Sequence, residues 1–376
     1  MRRGFVFSIS LFLLLLSVSA KAQNTAPMTI TREKVLARNA QVVDKSVQLF
    51  PLRRGVGKVF EQFVPQRGAS SFRMHFHVQS PTQAPTWTVQ VLDKNRLLVW
   101  TYKSADSPAT DFWSGEVRGD KATVIIISDE ANSPLRLTVD RVAVSTPMFK
   151  PQSLTPPDSR APILSQPAGI KEMGKSVARL RFVGDDGIGY VCTGFLISGD
   201  LLMTNHHCPQ SESEWRSTLV DFDYDSASAA PVVSAFKELI VADQRLDFAI
   251  FRLVANPGRQ PLPLDTTAPP ESKPLLIIEH PGGEPKQVSI IDCRVQGAQV
   301  SGVSADLTDF GHLCDTLGGS SGSPVMDLAT SRVIGLHHLG FNDRSPQLIN
   351  RAVNIREILD YIRANRPEIL PQLGVR

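Results

Sequence analysis

The chain has 376 residues, with 40 Lys and Arg against 37 Asp and Glu, 42% hydrophobic residues and four cysteines. This near-neutral balance, without a clustered basic face, argues against a nucleic acid partner. Beyond residue 16 no apolar run approaches the roughly 20 residues of a membrane-spanning helix, so we expect no stable membrane insertion once the N-terminal segment is removed.

The N-terminus carries the features of an export signal. Two arginines follow the first methionine, residues 5–16 are predominantly apolar, and Ala20-Lys21-Ala22 forms a small-residue cleavage site. Residues 1–22 are therefore predicted to be a signal peptide, and the protein is expected to be secreted or periplasmic. In such an oxidising compartment an even number of cysteines favours two disulfides over four free thiols.

Short alternating apolar runs separated by turn residues fill the region after the signal. The runs lie at residues 72–78, 87–92, 96–102, 122–128 and 135–144. Their spacing predicts an antiparallel β-sandwich over residues 23–146. His75 and His77 fall on one strand face, and without a third ligand we interpret them as packed or solvated side chains.

A proline-rich stretch follows the predicted sandwich. Six prolines lie between residues 147 and 169, which predicts an extended linker over residues 147–172. Such a tether allows an intramolecular contact between the sandwich and the domain that follows. The sandwich could serve as an inhibitor, a folding aid or a docking module, and the sequence does not rank these roles.

Three separated motifs carry the candidate chemistry of the second half. His207 precedes a cysteine, Asp247 precedes an apolar run, and Ser321 lies in Gly-Gly-Ser-Ser-Gly-Ser-Pro. A serine hydroxyl becomes a nucleophile when an imidazole takes its proton and a buried carboxylate orients that imidazole. The order His, Asp, Ser differs from that of α/β-hydrolases and subtilisins. The position two residues after Ser321 is Ser323, so the glycine of a nucleophile elbow is also missing.

These motifs resemble those of the chymotrypsin/trypsin-like serine endopeptidases, in particular secreted bacterial types similar to lysyl and glutamyl endopeptidases. The resemblance covers residues 173–376 and implies a chymotrypsin-like double β-barrel. Residues 354–364 have the apolar spacing of the family's C-terminal helix. The predicted fold class is therefore all-β, with an antiparallel β-sandwich followed by a trypsin-like serine protease domain and its C-terminal helix.

The resemblance also implies roles for individual residues. The backbone amides of Gly319 and Ser321 would form the oxyanion hole. Cys192 would pair with Cys208, which leaves Cys293 and Cys314 for the second bridge. Ser320 stands where trypsin-type zymogens carry aspartate, so activation through a salt bridge to a new N-terminus near Ser176 is not expected.

The specificity pocket is the least determined part of the site. Asp315 matches the pocket aspartate that selects Lys or Arg, whereas Thr316 and His337 match residues with which glutamyl endopeptidases recognise acidic side chains. We therefore expect a charged side chain at the cleavage site and leave its sign open.

No motif indicates a cofactor. A zinc site at Cys192, His206, His207 and Cys208 is disfavoured because adjacent ligands on an extended strand point to opposite faces.

The sequence thus predicts a secreted serine endopeptidase that acts on proteins or peptides. Two alternatives stay open. A binding protein built on an inactive protease fold would be expected to lose a triad member, and none is lost. An esterase would use the same triad, so only substrate assays separate it from a peptidase.

Overall fold

The computed structural model describes residues 36–49, 69–79, 86–105, 110–128, 135–149, 152–154, 157–340 and 349–373. The predicted signal peptide at residues 1–22 lies outside these ranges. Within them, no helix is long and apolar enough to cross a membrane. The chain is mostly β, and the predicted all-β fold class is confirmed.

Two sheets pack face to face in the N-terminal part. The strands are β1 (Ala37–Leu49), β2 (Ser71–Gln79), β3 (Trp87–Leu92), β4 (Leu98–Lys103), β5 (Asp111–Trp113), β6 (Val117–Arg118), β7 (Thr123–Ser128) and β8 (Arg136–Phe149). Strands β4, β3 and β7 form one sheet, and β1, β8, β2, β5 and β6 belong to the other. The alternating apolar residues of both sheets share one core, which includes Phe76, Val89 and Ile126.

A closed six-stranded barrel follows. It contains β11 (Val177–Val183), β12 (Ile188–Leu196), β13 (Leu201–Thr204), the helix α2 (Glu212–Ser217), β14 (Leu219–Phe222), β15 (Val232–Asp243) and β16 (Phe248–Leu253). The strand order is β11-β14-β15-β16-β13-β12, and pairing of β11 with β12 closes the ring. On the outer edge of β12, β1 adds antiparallel, so the sandwich sheet and the barrel are hydrogen-bonded to each other.

A seven-stranded sheet forms the second half of the double barrel. Its elements are β17 (Leu275–Glu279), β18 (Gln287–Ser289), β19 (Asp309–His312), β21 (Pro324–Asp327), β22 (Val333–Leu339) and β23 (Asn350–Asn354), together with the short β10 (Ala161–Pro162). Isolated bridges from Arg294 to Pro274 and from Val295 to His312 connect the start of β17 with the end of β19. The C-terminal helix α3 (Ile355–Asn365) lies one residue beyond its predicted position, and a 3-10 segment (Pro367–Leu373) follows it.

The predicted linker is largely structured: residues 147–149 belong to β8, and described residues further along pair with the second barrel. Here β9 (Gln152–Ser153) pairs with β20 (Thr316–Leu317), and β10 pairs with β18. A 3-10 turn (Ile163–Ser165) and the helix α1 (Ala168–Gly174) then lead into the first barrel. Ile163 is buried in the core that joins both barrels and α3.

Candidate active site

His207 lies in the loop after β13 and is fixed on both sides. The preceding Asn205 is buried, and its Nδ2 donates to the Asp247 carbonyl at 2.9 Å. The following Cys208 forms a disulfide with Cys192 on β12. The second disulfide joins Cys293 to Cys314, so both predicted pairings are confirmed.

Asp247 occupies the turn directly before β16. Its φ of 49° is left-handed, a conformation that Asp tolerates better than most residues. The two carboxylate oxygens face one residue: Oδ1 accepts from the His207 backbone N at 2.9 Å, and Oδ2 lies 2.7 Å from His207 Nδ1. The imidazole is therefore oriented with Nδ1 towards the carboxylate and Nε2 on the opposite side of the ring.

The neighbours of the Asp247 carboxylate stabilise its ionised form. Burial alone would raise the pKa of Asp247, but attraction to His207 and hydrogen bonds from His207 and His338 lower it well below its usual value. The carboxylate is ionised at any pH at which a hydrolase works, and a permanent negative charge behind the ring stabilises the imidazolium form.

The Ser321 loop is tied to both barrels. The Ser321 carbonyl accepts from Thr193 N at 2.8 Å, next to the disulfide that anchors His207, and Gly322 N donates to the His337 carbonyl at 2.8 Å. Gly322 has φ 89°, and a Cβ there would lie 2.0 Å from the Thr193 carbonyl oxygen. Only glycine fits this position, and its close approach brings Ser321 to the same end of the barrels as His207.

The peptide between Gly318 and Gly319 has a defined orientation. The Gly318 carbonyl accepts from Gly282 N at 2.6 Å. In a planar trans peptide the C=O and the next N–H point in opposite directions, so the Gly319 N–H faces away from the turn at Pro281–Gly283. Gly319 has φ 101°, and a Cβ there would lie 2.9 Å from the His280 carbonyl oxygen. Among the described residues, neither Gly319 N nor Ser321 N donates a hydrogen bond to the protein.

The three predicted pocket residues differ in what they contact. The Asp315 carboxylate accepts from Ser159 N at 2.9 Å and from Ser159 Oγ at 2.7 Å, so it faces the former linker. Thr316 is buried, and its hydroxyl has no hydrogen-bond partner within the described part of the chain. His337 Nδ1 lies 3.1 Å from His312 Nε2.

Both pocket histidines are neutral at physiological pH. Burial lowers the pKa of His312 to about 3. The pKa of His337 lies well below its ordinary value because of burial and repulsion from His312 and other histidines. Neutral rings 3.1 Å apart share one hydrogen bond, and when His312 Nε2 donates it the single N–H of His337 is at Nε2. The His337 ring also hydrogen-bonds the Arg351 backbone, which acts against the lowering of its pKa.

Besides His312, sequence reasoning missed three buried ionisable groups of the site, namely His338, Asp309 and Glu279. His338 bridges Asp247 and Asp309, with Nδ1 3.2 Å from Asp247 Oδ2 and Nε2 2.7 Å from Asp309 Oδ2. Alternation along β22 was the available signal, because it places His338 on the face opposite His337. Nothing in the sequence indicated which carboxylates it would meet.

The third missed group is Glu279, at the end of β17. Burial raises its pKa to about 8, against the opposing effects of Arg160 and the nearby Ser320 hydroxyl. Ser320 itself contributes no charge, and its Oγ accepts from Leu317 N at 3.1 Å. A carboxyl group that is largely protonated at neutral pH therefore lies next to the Ser321 loop.

The side chains that could ligate a metal near His207 include two cysteines of a disulfide. Potential ligand atoms of Cys192, His207 and Cys208 lie within 4.8 Å of one another. Both cysteines are bonded to each other, so neither offers the thiolate that zinc binds.

The class of protein follows from comparison with known families. Residues 192–336 match the family model described as a trypsin-like peptidase domain. This segment holds His207, Asp247 and Ser321, and the predicted resemblance to chymotrypsin/trypsin-like serine proteases is confirmed.

Individual relatives are distant. Over 181 residues the chain is 28% identical to the secreted RxLR effector protein 73 of Plasmopara viticola; the match covers 44% of this chain and 45% of that protein. The active form of the Rv3671c protease from M. tuberculosis is 19% identical, with a TM-score of 0.43, over 58% of this chain and 89% of that one. A Glu endopeptidase in complex with MPD is 20% identical, with a TM-score of 0.41, over 56% of this chain and all of that one.

Proposed function

We propose that the chain is a secreted serine endopeptidase that cleaves peptide bonds after acidic side chains, with Ser321, His207 and Asp247 as its catalytic triad. The observation that carries this proposal is the pair of contacts from His207 N and Nδ1 to the two oxygens of Asp247. A histidine held in this way, beside a serine on a glycine-bounded loop, is suited to acyl transfer.

The reaction would proceed in two halves. Ser321 Oγ attacks the substrate carbonyl carbon while His207 Nε2 takes the hydroxyl proton, and the imidazolium then protonates the leaving amine. Water enters along the same route, gives a proton to His207 and releases the acid from Ser321. The oxyanion formed in each half would accept from Gly319 N and Ser321 N, and one such donor contributes about 3 kcal/mol to transition-state stabilisation.

The preference for an acidic side chain is inferred from which pocket residues already have hydrogen-bond partners in the protein. A basic substrate would need the carboxylate of Asp315, which already accepts two hydrogen bonds from Ser159. An acidic substrate would need donors, and the buried Thr316 hydroxyl can provide one. A buried polar group that gains a partner only when substrate binds supports discrimination between charged and uncharged side chains.

Export is supported by two disulfides in the described residues and by the signal features of residues 1–22. The Plasmopara viticola relative is likewise named a secreted protein. Proteins or peptides outside the cytosol are the proposed substrates.

A peptide library tests the function without assuming a substrate. The purified chain is incubated with random peptides, and cleavage sites are read by mass spectrometry, with Ser321→Ala as the blank. We expect sites that follow Glu or Asp and that disappear in the blank. Cleavage after Lys or Arg would contradict the specificity, and turnover of small esters without any peptide cleavage would identify an esterase.

A further inference from the structure

His338 is a fully buried histidine between two carboxylates. Its Nδ1 lies 3.2 Å from Asp247 Oδ2, and its Nε2 lies 2.7 Å from Asp309 Oδ2. The side chains of all three residues are at most 2% exposed. Asp247 Oδ2 is the same oxygen that His207 Nδ1 contacts at 2.7 Å. His207, Asp247, His338 and Asp309 therefore form one unbroken chain of alternating rings and carboxylates.

The contacts at both nitrogens fix the protonation state of this ring. Neutral imidazole has one N–H, so it can donate to only one of two carboxylates, whereas the imidazolium donates to both. Burial lowers the pKa of His338, but attraction to Asp309 and hydrogen bonds to both carboxylates raise it to about 9. The ring is a cation at neutral pH.

The other charged or titratable groups around this chain are few. His312 and His337 are neutral and are both repelled by His338. Arg351, whose guanidinium is attracted to Asp309, faces it from β23. The hydroxyl of Thr308 donates to Asp309 Oδ1 at 2.9 Å, so the second oxygen of that carboxylate is occupied as well. The His338 and Asp309 charges thus offset each other directly.

We propose that His338 is a positioning residue, which as an imidazolium between Asp247 and Asp309 holds the triad carboxylate in place and sets the pH range of catalysis. This inference rests on the proposed function. Two hydrogen bonds from the His207 side and one from His338 restrict rotation of the Asp247 carboxylate. The paired charge of His338 and Asp309 keeps the net charge behind Asp247 close to zero, so the proton affinity at the catalytic base depends on Asp247 alone.

Removing the His338 cation alone and removing both His338 and Asp309 charges should have different effects on the pH profile. In His338→Gln the Asp309 carboxylate loses its counter-ion, and the added negative charge favours protonation of the catalytic base. The acidic limb of the kcat/KM profile should then move up by about one pH unit. In the double variant His338→Gln with Asp309→Asn both charges are gone, so the limb should return to its wild-type position.

The loss of positioning should persist in both variants. A hydrogen bond to a charged group is worth about 1.5 to 3 kcal/mol, so kcat should fall about 10- to 100-fold while KM changes little. The control is His75→Gln, which removes a buried histidine 2.6 Å from Asp140 in the sandwich. Its acidic limb should coincide with that of wild type.

The experiment compares kcat/KM profiles from pH 5 to 9 for the full chain and these three variants. A shift in His338→Gln that is reversed in the double variant supports the proposal, and profiles that all coincide overturn it. If His338→Gln does not fold, the proposal is tested with the double variant and by NMR of the ¹⁵N-histidine-labelled wild type. An imidazolium signature for His338 at pH 7.5, assigned by its absence from the double variant, is expected, and a neutral ring would refute the proposal. The NMR result does not depend on activity, so it separates failure of this inference from failure of the proposed function.

Discussion

Among the residues that the structure describes, one buried cluster of charge lies at the candidate active site and another lies between the sandwich and the first barrel. In the second cluster, Asp221 accepts from Arg179 at 2.8 Å and from Arg181 at 2.7 Å, and Arg181 also meets Glu116 of the sandwich at 2.9 Å. Arg73 of the sandwich completes the cluster by donating to the Ser217 carbonyl.

The difference between the clusters lies in the basic partner. Guanidinium stays charged throughout the physiological range, so the arginine cluster has one charge state and one arrangement. The site cluster uses imidazole, whose ordinary pKa of about 6.5 lets neighbouring carboxylates move its charge across neutral pH. The same strategy of burying paired charges thus gives a fixed joint in one place and a proton-exchanging centre in the other.

The largest expected effect separates chemistry from stability. Ser321→Ala removes the proposed nucleophile and leaves both charge clusters intact. We therefore expect kcat to fall about 10⁶-fold, while the free energy of unfolding stays within about 0.5 kcal/mol of the wild-type value. Hydrolysis of a peptide cleaved by wild type and urea denaturation measure the two quantities. Substantial activity in this variant would remove Ser321 from the proposed triad.

The arginine cluster should respond in the opposite way. Asp221→Asn leaves Arg179 and Arg181 buried without their carboxylate, which should cost about 3 to 5 kcal/mol of unfolding free energy. The control is Asp200→Asn, which breaks the more exposed pair with Arg252 at 2.7 Å and should cost less than about 1 kcal/mol. If urea denaturation shows equal losses of unfolding free energy in the two variants, the buried arginine cluster does not stabilise the contact between the sandwich and the first barrel.

Stability should depend on pH at one cluster only. The folded-state pKa of His338 is raised from 6.5 to about 9, so its contribution is fully present below pH 6.5 and is lost as pH rises through 9. The unfolding free-energy gap between wild type and the double variant at 338 and 309 should therefore shrink across this window, by at most about 1.4 kcal/mol per pH unit.

The gap between wild type and Asp221→Asn should stay level from pH 6.5 to 8, because neither Asp nor Arg titrates there. Only above this range does the pH approach the pKa of Arg73, which burial lowers to about 9. Urea denaturation at several pH values compares the two series. Parallel gaps in both series would contradict the distinction between a fixed and a titrating cluster.

The smallest effect concerns specificity. Thr316→Val removes the unpartnered hydroxyl and preserves shape, so kcat/KM for peptides with Glu at the cleavage site should fall about 10-fold relative to peptides with Gln. Asp315→Asn is the matched control, because its carboxylate faces Ser159, and it should keep the acidic preference. A larger change of specificity in the control would reverse these assignments.

The sequence predicted what local pattern encodes. Alternation located most strands, and the helix at Ile355–Asn365 was shifted by one residue. Both cysteine pairs followed from the family resemblance and not from a local pattern. The structure also brings together His207 and Asp247, which are 40 residues apart, although their catalytic roles and that of Ser321 stay predictions.

What the sequence could not supply is the register between distant strands. His338 meets Asp309 because β22 and β19 both flank β23, a relation that no local period contains. The burial that shifts the pKa of Glu279 likewise depends on the whole surrounding fold. The pairing of β9 and β10 with the second barrel was hidden because proline-rich composition is typical of linkers.

If Ser321 is an activated nucleophile, as proposed above, a fluorophosphonate probe should react with it. Such a probe forms a covalent adduct only with a serine whose proton is removed by a neighbouring base. The full chain is treated with the probe, digested and mapped by mass spectrometry, with Ser321→Ala and His207→Gln treated in parallel. We expect a single adduct on Ser321, which is absent from Ser321→Ala and forms much more slowly in His207→Gln. No adduct on folded wild-type protein, or an adduct on a different serine, would contradict it.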